Sequence, residues 1–168
     1  MNLYLCKYVS PLGDITMASD GEALTGLWFD GQKYFPQLSS EYIFDYNIPV
    51  FIQARKWLDA YFRGINPGEI PPVHLKGSSF RILVWNILQA VPYGKSITYS
   101  DIARQIAIKM RISKMSAQAV GGAVSHNPIS IIVPCHRVIG AKGDLTGYAG
   151  GLQRKIELLR IEHTDFLM

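Results

Sequence analysis

Only two cysteines, Cys6 and Cys135, occur among the 168 residues. That number excludes a disulfide framework and any multi-cysteine zinc site. Long apolar runs are also missing. The longest, Ile129 to Cys135, is broken by Ser130 and Pro134, far short of the roughly 18 residues that a membrane span requires. The N-terminal Met-Asn-Leu-Tyr-Leu-Cys-Lys lacks the basic-then-apolar layout of a secretory signal. With 48% hydrophobic and 18% charged residues, the composition excludes a disordered, collagen-like or low-complexity chain. The expectation is a soluble intracellular protein with a true core, built as one domain or two small lobes.

What is present is unevenly spread. Residues 1–76 carry six Lys/Arg and eight Asp/Glu, a net −2, whereas residues 77–168 carry eleven and five, a net +6. A basic lobe attracts a polyanion, and nucleic acid is the commonest one. A basic surface that merely confers solubility gives the same sum, so charge alone leaves both readings open.

The front half alternates as strands do. Leu3 to Val9, Ile15 to Ala18 and Leu24 to Phe29 are separated by turns at Pro11–Asp14 and Ser19–Gly21, which predicts an antiparallel meander. Phe51, Ala54, Trp57, Leu58 and Tyr61 recur at helical spacing and predict a helix from Pro49 to Phe62. The stretch Asn66 to Pro72 is rich in Pro and Gly. It places a lobe boundary beside the charge switch, dividing the chain into 1–76 and 77–168.

The back half opens at Ser78-Ser79, a helix cap, followed by Phe80, Leu83, Val84, Ile87, Leu88 and Val91 on one face until Pro92. Thr98 with Asp101 resembles a capping box for a short helix through about Ile106. A polar connection then leads into Ser116 to Val124, which completes the outline of a helix-turn-helix unit. Five of the nine residues from Ala117 are Ala or Gly, although each interior glycine costs a helix about 1 kcal/mol against Ala. Close helix packing explains that composition, and so does a face kept small for a bulky partner. Composition does not separate them.

After Asn127-Pro128, the run Ile129 to Val133 reads as a short β-strand that Pro134 terminates, with Cys135 and His136 at its end. A thiol beside a base is the arrangement of an activated nucleophile; a buried, inert cysteine is the plain alternative. Papain-like spacing is absent, and Cys6, His74, Cys135 and His136 have no metal-ligand spacing.

Pro134-Cys135-His136-Arg137-Val138 resembles the active-site motif of the methylated-DNA–protein-cysteine methyltransferases, the O6-alkylguanine-DNA alkyltransferases. Val91-Pro92-Tyr93-Gly94 with Thr98-Tyr99 is similar to the segment ahead of that family's recognition helix. Ala119-Val120-Gly121-Gly122-Ala123 is similar to the helix itself, and Asn127-Pro128 to the hinge before the active site. Gly147-Tyr148-Ala149-Gly150-Gly151 is similar to the loop closing the pocket, and Leu158-Leu159 with Glu162 to the final helix. The front lobe matches only in outline.

The resemblance implies an α+β fold, with a small antiparallel-sheet, ribonuclease H-like N-terminal lobe and a mostly helical, winged-helix-like C-terminal lobe carrying the helix-turn-helix. It implies irreversible transfer of an alkyl group from guanine O6 to Cys135 of a protein used once, and leaves activity on O4-alkylthymine open. His136, oriented by Glu162, would take the thiol proton through a water; Tyr99 would protonate the leaving guanine at N3. Asn127 would belong to the same catalytic set. Backbone carbonyls of Cys135 and Val138 would hold the exocyclic amine, Tyr148 would cover the base, and the Ala149 amide would contact O6. Ala117, Gln118, Ala119, Gly121 and Gly122 would meet DNA in the minor groove, with the damaged nucleotide flipped out. Arg137 is assigned to ion pairing.

Three departures from the family pattern stand out. Gln118 stands where many members carry an intercalating Arg, Ser125-His126 occupy a usually smaller hinge, and Ala149 offers no hydroxyl where some members have Ser. No cofactor and no metal are expected. The partner would be double-stranded DNA, with the protein a monomer, unattached to membrane, in a prokaryotic cytoplasm. Two rivals remain at this level: a non-catalytic lesion binder, which Cys135 argues against, and a helix-turn-helix thiol sensor needing Cys6 as the resolving thiol.

Overall fold

Turn chemistry organises the front of the molecule in the computed structural model, which describes residues 2–164. Strand β1 (Tyr4–Ser10) pairs antiparallel with β2 (Gly13–Ser19), and β2 with β3 (Leu24–Phe29). At the β1–β2 turn Gly13 has φ +121°, and the Arg154 guanidinium lies 2.8 Å from where a Cβ would stand. Any side chain there would be strained and would also displace the arginine. A fourth strand, β4 (Ile43–Phe44), adds to β1 in parallel, giving the order β3-β2-β1-β4. Its two residues are both exposed, too short and too solvent-facing to leave an alternating pattern.

Helix α1 (Pro49–Phe62) has Pro at its start, where a missing N–H is harmless, and buries Val50, Phe51, Ala54, Trp57, Leu58 and Tyr61. Helix α2 (Ser79–Gln89) is capped by the Ser78 hydroxyl on the Arg81 amide. Strand β5 (Ile97–Thr98) leads into α3 (Tyr99–Met110), whose Thr98–Asp101 capping box has both reciprocal bonds. The sequence expectation ended this helix near Ile106. It runs one turn further because its ending is conformational: Arg111 adopts the left-handed region at φ 56° and closes the helix, with Ile108 and Met110 turned outward.

Helix α4 (Ala117–Ser125) is capped by Ser116 and packs on α2 and α3, with the Trp85 indole N–H donating to the Ala123 carbonyl at 2.8 Å. A 3-10 turn spans Cys135–Arg137, β6 (Val138–Ile139) pairs in parallel with β5, a second 3-10 turn spans Ala141–Gly143, and α5 (Leu152–Ile161) is the last helix among the described residues.

The run Ile129 to Val133 is not a strand. Ile129 makes one isolated bridge to Leu27, Ile131 has φ 70°, and the Val133 amide bonds back to the Ile129 carbonyl at 3.0 Å. The five residues form a tight coil buried on every side. A short apolar run does not by itself distinguish a fully buried strand from other buried backbone. Through that coil one core continues from Phe29, Leu58 and Tyr61 to Trp85, Ile102, Val120 and Leu158.

Candidate active site

Cys135 sits at the first residue of the 3-10 turn rather than at a strand end. Asn127 ties this turn to the hinge. Its amide N–H groups donate to the carbonyls of Val133 (2.7 Å) and Ile129 (3.3 Å), while its Oδ1 accepts the Ile129 N–H at 3.0 Å. Cys135 is 5% exposed. Burial pushes its pKa up, with Asn127 and the Lys155 ammonium pulling in the opposite direction. The resting group is therefore a thiol and needs a base before it can act as a nucleophile.

The adjacent residue in the same turn is a histidine. His136 is fully buried, and its Nε2 lies 2.5 Å from Oε2 of Glu162, the residue that caps α5. That contact places the imidazole proton on Nε2 and leaves Nδ1 as the lone pair. Nδ1 is buried without a hydrogen-bond partner among the described residues. Burial lowers the His136 pKa, against the opposing pull of Glu162, so the ring is neutral before reaction. Burial alone would raise Glu162, but His136 and Arg137 outweigh it and hold the carboxyl well below the usual carboxylate range. Arg137 donates from Nε to Glu162 Oε1 (2.8 Å) and from Nη1 to the Val91 carbonyl (2.8 Å). Its place is in the ion pair.

Above Cys135 is a cavity of about 170 Å³, lined by Tyr99, Gly121, Val124, Ser125, Gly147, Tyr148 and Ala149. This is smaller than the roughly 300–1,000 Å³ of pockets for drug-sized ligands and leaves room for a small group only. Burial and the nearby Cys135 raise the Tyr99 pKa, so its hydroxyl keeps its proton at neutral pH; it donates to the Thr146 carbonyl at 3.2 Å. Val138 does not line the cavity. Its side chain is buried, it pairs with Ile97 in the two-stranded sheet, and its N–H closes the turn on the Cys135 carbonyl.

Two buried groups behind the cavity lining were not anticipated. Lys155 is fully buried, and its ammonium donates to the carbonyls of Thr146 (2.9 Å) and Gly147 (3.1 Å), clamping the pocket loop from beneath. Burial lowers its pKa to about 8, which the nearby Cys135 partly opposes. Tyr61 of α1 places its hydroxyl 2.5 Å from Glu162 Oε2. Both were detectable in principle. Lys155, Leu158, Leu159 and Glu162 share one helical face, which puts two charges at core positions; a buried tyrosine hydroxyl normally seeks a partner.

From the front lobe, the Lys33 amide donates to the Ala149 carbonyl at 3.0 Å, and Tyr34 stacks on His126 with ring centroids 3.9 Å apart. The small face of α4 points outward. Ala117, Gln118, Ala119 and Gly122 are exposed, a Cβ on Gly122 would meet nothing within 4 Å, and one on Gly121 would only touch the Tyr99 ring at 3.8 Å. Close helix packing is thus not what keeps these residues small. No group of three His, Cys, Asp or Glu side chains arranged to hold a metal occurs among the described residues.

A buried thiol, a neutral histidine and a paired carboxylate beneath a pocket that opens beside a helix-turn-helix define a protein built for thiol chemistry at a nucleic-acid surface. Family models agree over nearly the whole chain. The 6-O-methylguanine DNA methyltransferase DNA binding domain matches residues 79–164, and the ribonuclease-like domain of the same family matches residues 3–67. The methylated-DNA–protein-cysteine methyltransferase of Mycolicibacterium paratuberculosis is 44% identical over 153 residues, covering 91% of this chain and 88% of the relative. Its Haemophilus influenzae namesake is 36% identical over 167 residues, covering 98% and 89%. The crystal structure of Mycobacterium tuberculosis OGT in complex with DNA superposes with a TM-score of 0.82 at 40% identity, covering 95% of this chain and 92% of that one. The chain belongs to the 6-O-methylguanine DNA methyltransferase family.

Proposed function

We propose that this protein repairs DNA by direct transfer of a methyl or larger alkyl group from O6-alkylguanine to the sulfur of Cys135, once per molecule. The observation that carries this reading is the placement of Cys135 beneath a base-sized cavity bordered by α4, with His136 and Glu162 behind it. In the proposed reaction, Nδ1 of His136 accepts the thiol proton through a water. The thiolate attacks the alkyl carbon, an S–C bond forms as the C–O6 bond breaks, and the electron pair enters the purine. Tyr99 donates a proton to N3 and regains one from the His136 imidazolium by way of solvent, so that the net proton transfer is from the thiol to the departing guanine. Asn127 holds the turn that aims Sγ, Tyr148 covers the base, and the Ala149 amide faces O6. The carbonyl of Cys135, which lines the cavity, receives the exocyclic amine.

The damaged nucleotide leaves the stack, at about a few kcal/mol, while Ala117, Gln118, Ala119, Gly121 and Gly122 press into the minor groove. Gln118 fills the gap with an amide that hydrogen-bonds the orphaned base. We read the chain as two lobes, 1–76 and 77–168, acting as a monomer on double-stranded DNA in the cytoplasm. No described helix is long and apolar enough to cross a membrane. Cys6 is poorly placed as a resolving thiol: it is fully buried, with the Arg55 guanidinium on its sulfur at 3.3 Å.

Incubation with a duplex containing O6-methylguanine, followed by mass analysis, tests the reading. One methyl per protein on Cys135 is expected, and Cys135→Ala should lose transfer while binding DNA nearly as well. Lesion binding without modification of the wild-type protein would favour the non-catalytic alternative.

A further inference from the structure

Glu162 accepts four hydrogen bonds. Oε1 receives Arg137 Nε (2.8 Å) and the Gly94 N–H (3.1 Å), and Oε2 receives His136 Nε2 and the Tyr61 hydroxyl, both at 2.5 Å. A carboxylate has about four acceptor positions, so this one is fully occupied. Three of the donors come from the back half of the chain. The fourth, Tyr61, comes from α1 and stands 101 residues away in sequence from the group it binds.

We propose that Tyr61 is a positioning residue for alkyl transfer, its hydroxyl sharing Glu162 Oε2 with His136 and so limiting the pull of that carboxylate on the imidazole. The inference rests on the reading of His136 as the base for Cys135. The electrostatics follow from the contacts. A carboxylate whose charge is already drawn toward Tyr61 and Arg137 holds the imidazolium less tightly than a bare one would. His136 then stays neutral and ready to accept a proton, yet is still oriented through Nε2.

The charged and titratable groups around the ring are Glu162 and Lys155 at the α5 side, Arg137 and Cys135 in its own turn, and Tyr61 from α1. Tyr148 from the pocket loop and Tyr93 face the Tyr61–Glu162 pair. Among them Tyr61 alone is a neutral donor in direct contact with the oxygen that His136 uses. It packs edge-on to the His136 ring, with centroids 6.3 Å apart. The front lobe thereby supplies part of the proton machinery, beyond serving as a scaffold.

Tyr61→Phe keeps the ring and removes the hydroxyl. Single-turnover methyl transfer from an O6-methylguanine duplex, followed across pH, should show the acid limb displaced upward by about 0.5–1 pH unit, because Glu162 now stabilises the imidazolium more strongly. Below the limb the rate should fall by about three- to tenfold, by the logarithmic pH scale, and well above it approach wild type. In a Glu162→Gln background the same change should not move the limb. Site-specific 3-fluorotyrosine at position 61, a stronger hydrogen-bond donor of nearly native size, should move the limb downward, and it decides the matter if Tyr61→Phe does not fold. An unmoved limb, or a uniform loss at every pH, overturns the proposal. If wild-type protein transfers no methyl at all, the alkyl-transfer reading itself fails, an outcome distinct from an active enzyme with an unmoved limb.

Discussion

Lys155 carries an ammonium into a place without solvent, and the contacts it makes there explain why it is tolerated. Two carbonyls of the pocket loop receive its protons, and one of them, that of Thr146, also accepts the Tyr99 hydroxyl. A single charged group thus fixes the loop, and the loop orients the tyrosine proposed as the proton donor. Lys155→Met keeps an unbranched chain one atom shorter and deletes those bonds. It should yield a folded protein whose methyl-transfer rate is lower by about ten- to a hundredfold, since displacements near 1 Å cost a reaction about that much. DNA affinity should change by less than about twofold, because no contact of α4 is touched; single-turnover kinetics and a gel-shift titration check both. Cys135 and His136 could be read from their motif. For Lys155 and Tyr61 the core-facing position could be read from helical spacing, but the partner that each polar end meets could not, because that partner lies on another segment.

Helix α4 accepts an intrinsic penalty to keep its outer surface free of bulky side chains. Gly122 has open space where a Cβ would be and no positive φ that would require glycine. Gly122→Ala should therefore stabilise the free protein by up to about 1 kcal/mol, a rise of about 2–4 °C in melting temperature for a chain of this size. The same methyl should weaken binding to duplex DNA, because it stands on the face proposed to enter the minor groove. A melting curve and a DNA titration on one variant read the two effects, and unchanged affinity would remove Gly122 from the interface. The helices were legible in the sequence because caps and spacing are local: Ser78, Thr98 with Asp101, and Ser116 all make the bonds their side chains are suited for. The direction of the Ala/Gly face was not, since composition is the same whichever side it faces.

Across the whole molecule, the buried His136–Glu162–Arg137 cluster links stability to pH. Burial lowers the His136 pKa, so below its ordinary value of about 6.5 the unfolded chain binds a proton that the folded chain refuses, and stability falls as pH drops. The Glu162 pKa is held down by His136 and Arg137 against burial. Its stabilisation is complete above about pH 4.3, the ordinary glutamate value, and is lost as pH falls through the lower folded-state value. Urea midpoints measured from pH 7.5 downward should therefore decline first near pH 6 and again below pH 4; a midpoint that stays level to pH 5 would contradict the neutral buried histidine.

The sequence by itself determined the meander and the capped helices, and it located a cysteine-histidine pair in the more basic part of the chain. These follow from short-range rules of periodicity, turns and caps, and from simple addition of charge. Tertiary structure alone decided that Ile129 to Val133 coils instead of extending, that the small face of α4 turns outward, and that Tyr61 meets Glu162. Each depends on what a distant segment brings alongside: β3 against the coil, α2 and α3 behind α4, and α1 beneath the end of α5. Burial by such remote neighbours, and the need of every buried polar group for a partner, leave no periodic trace in the chain.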